Sequence, residues 1–153
     1  DMGTPSHYTG LERPHTWCLG SQYWAQQYIQ HSPIKLQYGI LLDMVGDPSA
    51  TFPREYFSMQ YANGYLEQLW RSANRLGYGR YFVPSTTYYP ITDDHYYVNT
   101  IARIPCVDII DYKTNTETGF AEWWHTQQDD MRNINHQTLQ AVGETVLTTI
   151  CSK

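Results

Sequence analysis

The residues best suited to chemistry lie in one short stretch, Phe120–Thr126, which is followed closely by Asp129 and Asp130. The stretch places His125, which could bind a metal, beside two tryptophans. A neutral imidazole is a good zinc ligand, and nearby carboxylates commonly fix the orientation of such a ring. A histidine beside indoles is more often a packed core residue than a ligand. The stretch alone therefore favours a core histidine, and a metal role depends on residues elsewhere in the chain.

Two further groups of acidic residues could contribute to a site. Asp43 follows the apolar run Tyr38–Leu42, and a carboxylate at the carboxyl end of a buried strand is where open α/β sheets build sites. Capping of a loop is the simpler role for Asp43. Asp93 and Asp94 precede His95, and such adjacent carboxylates either cap a helix or form a hydrogen-bonded pair with a raised pKa. The residues alone leave both alternatives open.

Apolar residues at spacings of three and four predict amphipathic helices in three parts of the chain. The first helix runs from Thr16, as its N-cap, to the break at Ser32-Pro33. The second is opened by Pro53 and closed by Gly77. Asn135 caps the last helix. The apolar face of that helix is formed by Leu139, Val142, Val146 and Ile150.

Two apolar runs, Tyr38–Leu42 and Ile104–Ile110, have the length and density of buried strands. A third, short strand is predicted at Tyr81–Val83 and a short helix at Tyr96–Ile101. Strands that alternate with amphipathic helices predict an α/β fold, with helices packed on a mainly parallel, mixed sheet. Such sheets usually contain more strands than this. We therefore expect part of the sheet to lie outside the chain.

Composition argues against several classes of partner. The 153 residues carry a net charge of -5 and no basic run, which argues against nucleic acid and anionic membranes. No apolar run approaches the roughly 20 residues of a membrane span. Fourteen tyrosines and five tryptophans suit pockets and interfaces as well as cores. Cys18, Cys106 and Cys151 lack metal-binding spacing, so buried free thiols are predicted.

Four motifs in this chain resemble, in order and spacing, those of the glutaminyl cyclases. Residues 41–53 resemble the segment L-L-D-L-I-G-x-P-x-x-T-F-P of that family, and residues 91–95 resemble its I-x-D-D-H motif. Residues 104–105 resemble the V-P pair that precedes a strand. Residues 120–130 resemble its F-x-x-x-W-H-T motif with two aspartates behind it. The zinc aminopeptidases of the same fold share the L-D and H-T parts.

The resemblance implies a zinc-dependent enzyme that converts an N-terminal glutamine to pyroglutamate with release of ammonia. His125 would be the zinc ligand. Asp93 and Asp43 would be the acids of the catalytic site, in a hydrogen-bonded network that holds a catalytic glutamate. Asp94 and His95 would serve helix capping and supporting hydrogen bonds. The pocket for the glutamine side chain would be lined by Ile91, Phe120 and Trp124.

The resemblance also implies that the chain is the C-terminal half of a zinc-exopeptidase-like domain. In the glutaminyl cyclases, the other zinc ligands and the general-base glutamate lie N-terminal to the matched region. We therefore expect one partial domain, with a polar loop at residues 1–15 and the C-terminal part of a catalytic domain at residues 16–153. Its partners would be peptides with an N-terminal glutamine and the missing N-terminal half. Alone, the chain would be inactive and would bind zinc poorly. A secreted or periplasmic location is implied by resemblance only.

Two alternative functions remain open. In a two-zinc aminopeptidase, the residue at the position of Asp43 binds the second metal, and the acidic motif usually reads S-D-H. The pair Asp93-Asp94 therefore favours the cyclase. A non-catalytic module that binds a peptide or a glycan through its tyrosines and tryptophans is the second alternative.

Overall fold

The computed structural model describes residues 16–87 and 89–152, so the predicted polar loop at 1–15 lies outside the described residues. A π-helical turn at Val98–Ala102 and a 3-10 turn at Met131–Asn133 accompany the regular elements. In chain order, the regular helices and strands are α1 (Leu19–His31), β1 (Gly39–Asp43), β2 (Phe52–Arg54), α2 (Tyr56–Arg75), β3 (Phe82–Thr86), α3 (Asp94–Tyr97), β4 (Cys106–Ile110) and α4 (His136–Cys151).

The strands form two parallel pairs. β1 pairs with β4 in unbroken register, and β2 pairs with β3. The two pairs are joined at the carboxyl end of β4, where the Tyr112 N–H donates to the Thr51 carbonyl over 3.0 Å. The Asp111 carboxylate accepts the Thr51 N–H over 2.9 Å and so replaces a further backbone bond. The predicted α/β fold with helices on parallel strands is confirmed.

The core lies between α2 and the strands. All five residues of β4 are buried, which confirms the predicted buried strand there. β1 is only half-buried, and Leu42 is 47% exposed. Trp70 of α2 fills the centre of the core and donates its indole N–H to the Val83 carbonyl over 3.0 Å. β4 is therefore the strand on which the other elements converge, while β1 has an open side within the described residues.

The starts of two helices differ from the prediction. α1 begins at Leu19 rather than behind Thr16, and Cys18 stands before it in a left-handed conformation with φ 51°. Pro53 lies in β2, so the predicted helix opening at that position is wrong. Glu55 caps α2 instead, because its carboxylate accepts the Phe57 and Ser58 N–H groups. Within a strand, proline is tolerated where its missing N–H is not needed by the ladder.

The last helix has the predicted cap but a different buried face. The Asn135 side chain accepts two N–H groups of the first turn, as expected. Leu139 and Ile150 are exposed, and Val142 is buried. Small and β-branched residues make up the buried face, and two of its threonine hydroxyls donate to backbone carbonyls: Thr138 to Asp47 at 2.9 Å and Thr149 to Thr145 at 2.8 Å. That face consists of Thr138, Ala141, Val142, Thr145 and Thr149.

The cap of α4 gives a test of the fold. Asn135→Ala removes the acceptor of the Gln137 and Thr138 N–H groups. We expect it to lower the free energy of unfolding by about 1 kcal/mol, as measured by urea denaturation. Gln137→Ala, at an exposed position of the same turn, is the control and should stay within about 0.5 kcal/mol of the parent. Equal effects of the two substitutions would contradict the capping role.

Candidate active site

A cleft of about 560 Å³ opens where β1 ends. Its walls come from four segments: residues 17–18 before α1, the end of β1, the loop that leads into α3, and the end of β4 with the loop that follows it. The structure brings all of the sequence-predicted site residues together in this cleft. They are Asp43, Ile91, Asp93, Phe120, Trp124 and His125.

Asp43 is the last residue of β1, opposite Ile110 of β4. Met44 turns the chain sharply behind it with φ 52°. Burial raises the pKa of the Asp43 carboxyl to about 6, and the negative charge of Asp93 adds to the shift. Asp43 therefore carries a carboxyl group that changes protonation close to neutral pH.

Asp93 rather than Asp94 caps α3. The Asp93 carboxylate accepts the Asp94 N–H over 2.6 Å, and burial is the first cause of its raised pKa. Asp94 instead accepts a hydrogen bond of 2.5 Å from the Ser21 hydroxyl of α1. The expected capping role of Asp94 is therefore wrong. The two neighbouring acids therefore have different roles. Asp93 caps α3, and Asp94 links α1 to the loop that carries Asp93.

The aromatic wall of the cleft is built from stacked rings. The Phe120 and Trp124 rings lie 4.7 Å apart between centroids, and the Trp124 and His125 rings stack at 3.9 Å with an interplanar angle of 19°. His125 is exposed and has a left-handed backbone with φ 57°. The interpretation of His125 as a core histidine is therefore wrong. Its imidazole stands at the cleft on an indole face.

Gly119 allows this wall to form. Its φ of +81° lies in the left-handed region, and a side chain at this position would collide with the Tyr112 ring. Tyr112 in turn meets Phe120 edge to face, with centroids 6.2 Å apart. The glycine thus lets the loop pass close to Tyr112 and bring Phe120 to the cleft.

One group of ligand atoms in the cleft was not predicted. Cys18, Asp93 and Asp94 offer atoms within 4.8 Å of one another. Burial, followed by the charges of the two acids, raises the pKa of the Cys18 thiol to about 12, and a metal needs the thiolate. Binding of a metal by this group would therefore require release of the Cys18 thiol proton. No sequence spacing could have indicated it, because Cys18 and Asp93 meet only in the fold.

His125 is not accompanied by a complete set of zinc ligands in the part of the chain that the structure describes. Structural and catalytic zinc sites need at least three protein ligands. Among the described residues, the one group of three ligand atoms is that of Cys18, Asp93 and Asp94, which excludes His125. The described residues thus offer one well-placed imidazole and two acids nearby, and they do not form a zinc site by themselves.

An α/β layer whose cleft holds acids, aromatics and an imidazole where a parallel strand ends has the architecture of a zinc-exopeptidase-like domain. The sequence profile of Peptidase family M28 matches residues 9–150. The chain belongs to that family. A comparison with curated proteins gave no significant match.

The chain is similar over its whole length to two solved bacterial glutaminyl cyclases. The chain is 49% identical to the glutaminyl cyclase of Tannerella forsythia, with a TM-score of 0.90, and the alignment covers 100% of this chain and 52% of that one. It is 41% identical to the Bacteroides thetaiotaomicron glutaminyl cyclase bound to N-acetylhistamine, with a TM-score of 0.90, and that alignment covers 100% of this chain and 51% of the relative. A Zn-dependent exopeptidase from Parabacteroides distasonis is 46% identical to the chain, with a TM-score of 0.90, and that alignment covers 100% of this chain and 51% of the exopeptidase. The chain therefore spans about half the length of these relatives.

The raised pKa of Asp43 can be tested directly. In ¹³C NMR of the carboxyl groups, we expect Asp43 to titrate at about 6. Asp93→Asn should lower this pKa, because it removes the negative charge that adds to the effect of burial. Asp130→Asn, at an acid paired with Arg132, should leave it unchanged. Titration of Asp43 in the parent at the ordinary value of about 3.9 would contradict the predicted environment.

The sign of the linked stability effect follows from the direction of this shift. A carboxyl whose pKa is higher in the folded than in the unfolded state favours folding when it is protonated. The Asp43 contribution to stability should therefore decrease as the pH rises from the ordinary value of about 3.9 to about 6.

Proposed function

We propose that the full-length protein carrying this sequence is a glutaminyl-peptide cyclotransferase, which converts an N-terminal glutamine to pyroglutamate and releases ammonia. The observation that carries this proposal is the convergence of all the predicted site residues, from three separate segments, on one cleft. The similarity to solved glutaminyl cyclases supports it. Peptides with an N-terminal glutamine are the proposed substrates.

His125 is proposed as one zinc ligand. Its exposure at the cleft leaves the imidazole accessible, and the stack on Trp124 fixes the plane of the ring. Zinc bound there would polarise the γ-carbonyl of the substrate glutamine. The remaining ligands and the general-base glutamate would come from the part of the relatives that this chain does not span. The described chain would thus supply one zinc ligand, His125, and the rest of the protein would supply the others.

Asp43 and Asp93 are proposed as the acids that support the base. The pKa values of both carboxyls are raised, first by burial. Neighbouring carboxyls with raised pKa values can share protons instead of all being ionised, so they can hold a glutamate through a hydrogen bond. Their place on two different elements, β1 and the cap of α3, would keep them on one side of the cleft.

The pocket for the glutamine side chain is proposed to consist of Ile91, Phe120 and Trp124. The methylene groups of glutamine need an apolar lining, and aromatic rings supply a large and rigid one. The Phe120 and Trp124 rings are tilted by 39° to each other and form a continuous wall. That wall ends at His125, next to which the polarised carbonyl of the substrate would lie.

A zinc aminopeptidase is the alternative enzyme. The chain is also similar to a leucine aminopeptidase precursor from Bacteroides thetaiotaomicron, at 40% identity and a TM-score of 0.88, covering 100% of this chain and 50% of that one. In that case Asp43 would bind a second metal. The products separate the two enzymes, since a peptidase releases free amino acids and a cyclase releases ammonia. The absence of both products would favour a binding module.

The domain organisation and location are proposals as well. Residues 16–153 would form the C-terminal part of one catalytic domain, and its remaining part would cover the open side of β1, where Leu42 is exposed. No helix in the described residues is long and apolar enough to cross a membrane. A secreted or periplasmic location remains a prediction by similarity.

The first test is the removal of the proposed zinc ligand. In the full-length protein, His125→Ala should abolish ammonia release from a glutaminyl peptide and lower the zinc content measured by atomic absorption. His136→Ala, an exposed histidine at the start of α4, is the matched control and should leave both unchanged. Full zinc content and activity in His125→Ala would contradict the proposed ligand. Free amino acids without ammonia from the parent would contradict the cyclase.

The pocket wall is tested separately. Trp124→Ala should raise KM for a glutaminyl peptide by about 10- to 100-fold, because the buried area of one aromatic side chain is lost. Trp24→Ala removes a partly exposed tryptophan of α1 that does not line the cleft. The control should keep the parent KM. An unchanged KM in Trp124→Ala would show that the substrate binds elsewhere.

A further inference from the structure

A buried chain of three titratable side chains lies behind the cleft. Glu55, His95 and Asp108 are each completely buried. His95 Nε2 lies 2.9 Å from Glu55 Oε2, and His95 Nδ1 lies 3.4 Å from Asp108 Oδ2. The imidazole therefore bridges the first turn of α2 and the centre of β4.

Glu55 holds both ends of the segment that carries Asp93. Its Oε1 accepts the Ile91 N–H over 3.3 Å, and its Oε2 faces His95. Asp93 lies between these two anchors, and Ile91 lines the cleft. Glu55 is thus a buried anchor, behind the cleft, for the segment that carries the Asp93 carboxylate.

The surroundings of Glu55 favour its charged form. Besides Ile91 and His95, it accepts hydrogen bonds from Phe57 N at 2.9 Å, Ser58 N at 2.7 Å and the Ser58 hydroxyl at 2.9 Å. Burial alone would raise the pKa of Glu55, but the hydrogen bonds and His95 outweigh it and the pKa is lowered. A buried carboxylate with this many donors is stable as an anion.

The surroundings of Asp108, in contrast to those of Glu55, favour the neutral form of the carboxyl group. Among the described residues, neither carboxyl oxygen of Asp108 has a hydrogen-bond partner, and Nδ1 of His95 is the nearest polar group with a complementary role. Burial of an anion without donors is far more costly than burial of the neutral acid. The Asp108 N–H is bound by the Ser58 hydroxyl at 2.9 Å, so the backbone at this position is fixed.

Resting on the proposed function, we propose that Glu55, His95 and Asp108 are positioning residues for Asp93, with Asp108 as a neutral acid. In this arrangement the Asp108 O–H donates a hydrogen bond to His95 Nδ1, and the His95 Nε2–H donates a hydrogen bond to the Glu55 carboxylate, which stays charged. One negative charge is then buried where donors surround it. Asn99 links the backbones of α3 and β4 beside these residues, because its amide donates hydrogen bonds to the carbonyls of His95 and Cys106 at 2.9 Å each.

The proton positions can be read from ¹⁵N NMR of His95 in the full-length protein. We expect Nε2 to be protonated and Nδ1 to be a hydrogen-bonded acceptor. Asp108→Asn should keep this tautomer, since the asparagine amide can donate to Nδ1 as the neutral acid does. Protonation of both ring nitrogens in the parent would overturn the neutral acid. This readout does not depend on any enzymatic activity.

Kinetics with a glutaminyl peptide tests the positioning role. Asp108→Asn should change kcat by less than about threefold, because one hydrogen bond between neutral groups replaces another. Asp108→Leu removes the donor, and we expect kcat to fall by about 10- to 100-fold, the usual effect of losing an orienting partner. Equal loss in both variants would overturn the neutral donor, and the parent kcat in Asp108→Leu would overturn the positioning role.

Glu55→Gln provides the second variant. Each carboxylate oxygen accepts at least two hydrogen bonds, so a glutamine must turn its NH₂ group towards donors. We expect kcat to fall by about 10- to 100-fold. Glu67→Gln makes the same chemical change on the same helix at a surface pair with Arg54 and should keep the parent kcat. Equal kcat in both variants would contradict the role of Glu55.

The two proposals can fail independently. Failure of the parent to form pyroglutamate would refute the cyclase, while the His95 resonances would still decide where the protons lie. An active parent with unchanged kcat in Asp108→Leu and Glu55→Gln would refute the positioning role and leave the cyclase in place.

Discussion

Burial of negative charge around the end of β1 and the centre of β4 is the constraint on which the site depends. Asp43, Asp93 and Asp108 all have carboxyl pKa values raised first by burial. Glu55 is stabilised as an anion by the donors around it. Protons and hydrogen-bond donors therefore decide which acids carry charge. Of the acids that line the cleft, Asp43 therefore changes protonation near neutral pH, because its pKa is raised to about 6, while the Glu55 charge is held behind the cleft.

Much of the fold could be predicted because its elements are local patterns. Apart from Asp108, the run Ile104–Ile110 is apolar, and the structure buries Cys106–Ile110 as β4. Asn135 capped its helix as expected because capping needs only residues close in sequence. The prediction for Pro53 was wrong because proline opens helices and is also tolerated in a short strand, where Pro53 is the middle residue of β2. The face of α4 was misassigned because hydropathy does not show that threonine hydroxyls find partners inside the core.

The residues that meet in the cleft could be named from the sequence, but the contacts that hold them there could not. The motifs around Asp43, Asp93 and His125 are recognisable in the sequence, and their convergence follows from the fold. The contact of His95 with Glu55 joins residues 40 positions apart, and no local pattern marks it. The link between Ser21 and Asp94 spans 73 positions. Tertiary contacts of this kind are the part that composition and periodicity cannot supply.

The sign of the charge in the cleft limits what it can bind. Among the described residues that line it, three carboxyl side chains occur without any lysine or arginine, and His125 is the one imidazole. A cleft lined by one sign of charge raises the local concentration of ligands of opposite charge. A peptide with a protonated amino terminus and an uncharged glutamine side chain fits this field, whereas an acidic side chain does not. If the proposed function is correct, a zinc ion at His125 and the amino terminus of a peptide would both be attracted by the acids of the cleft.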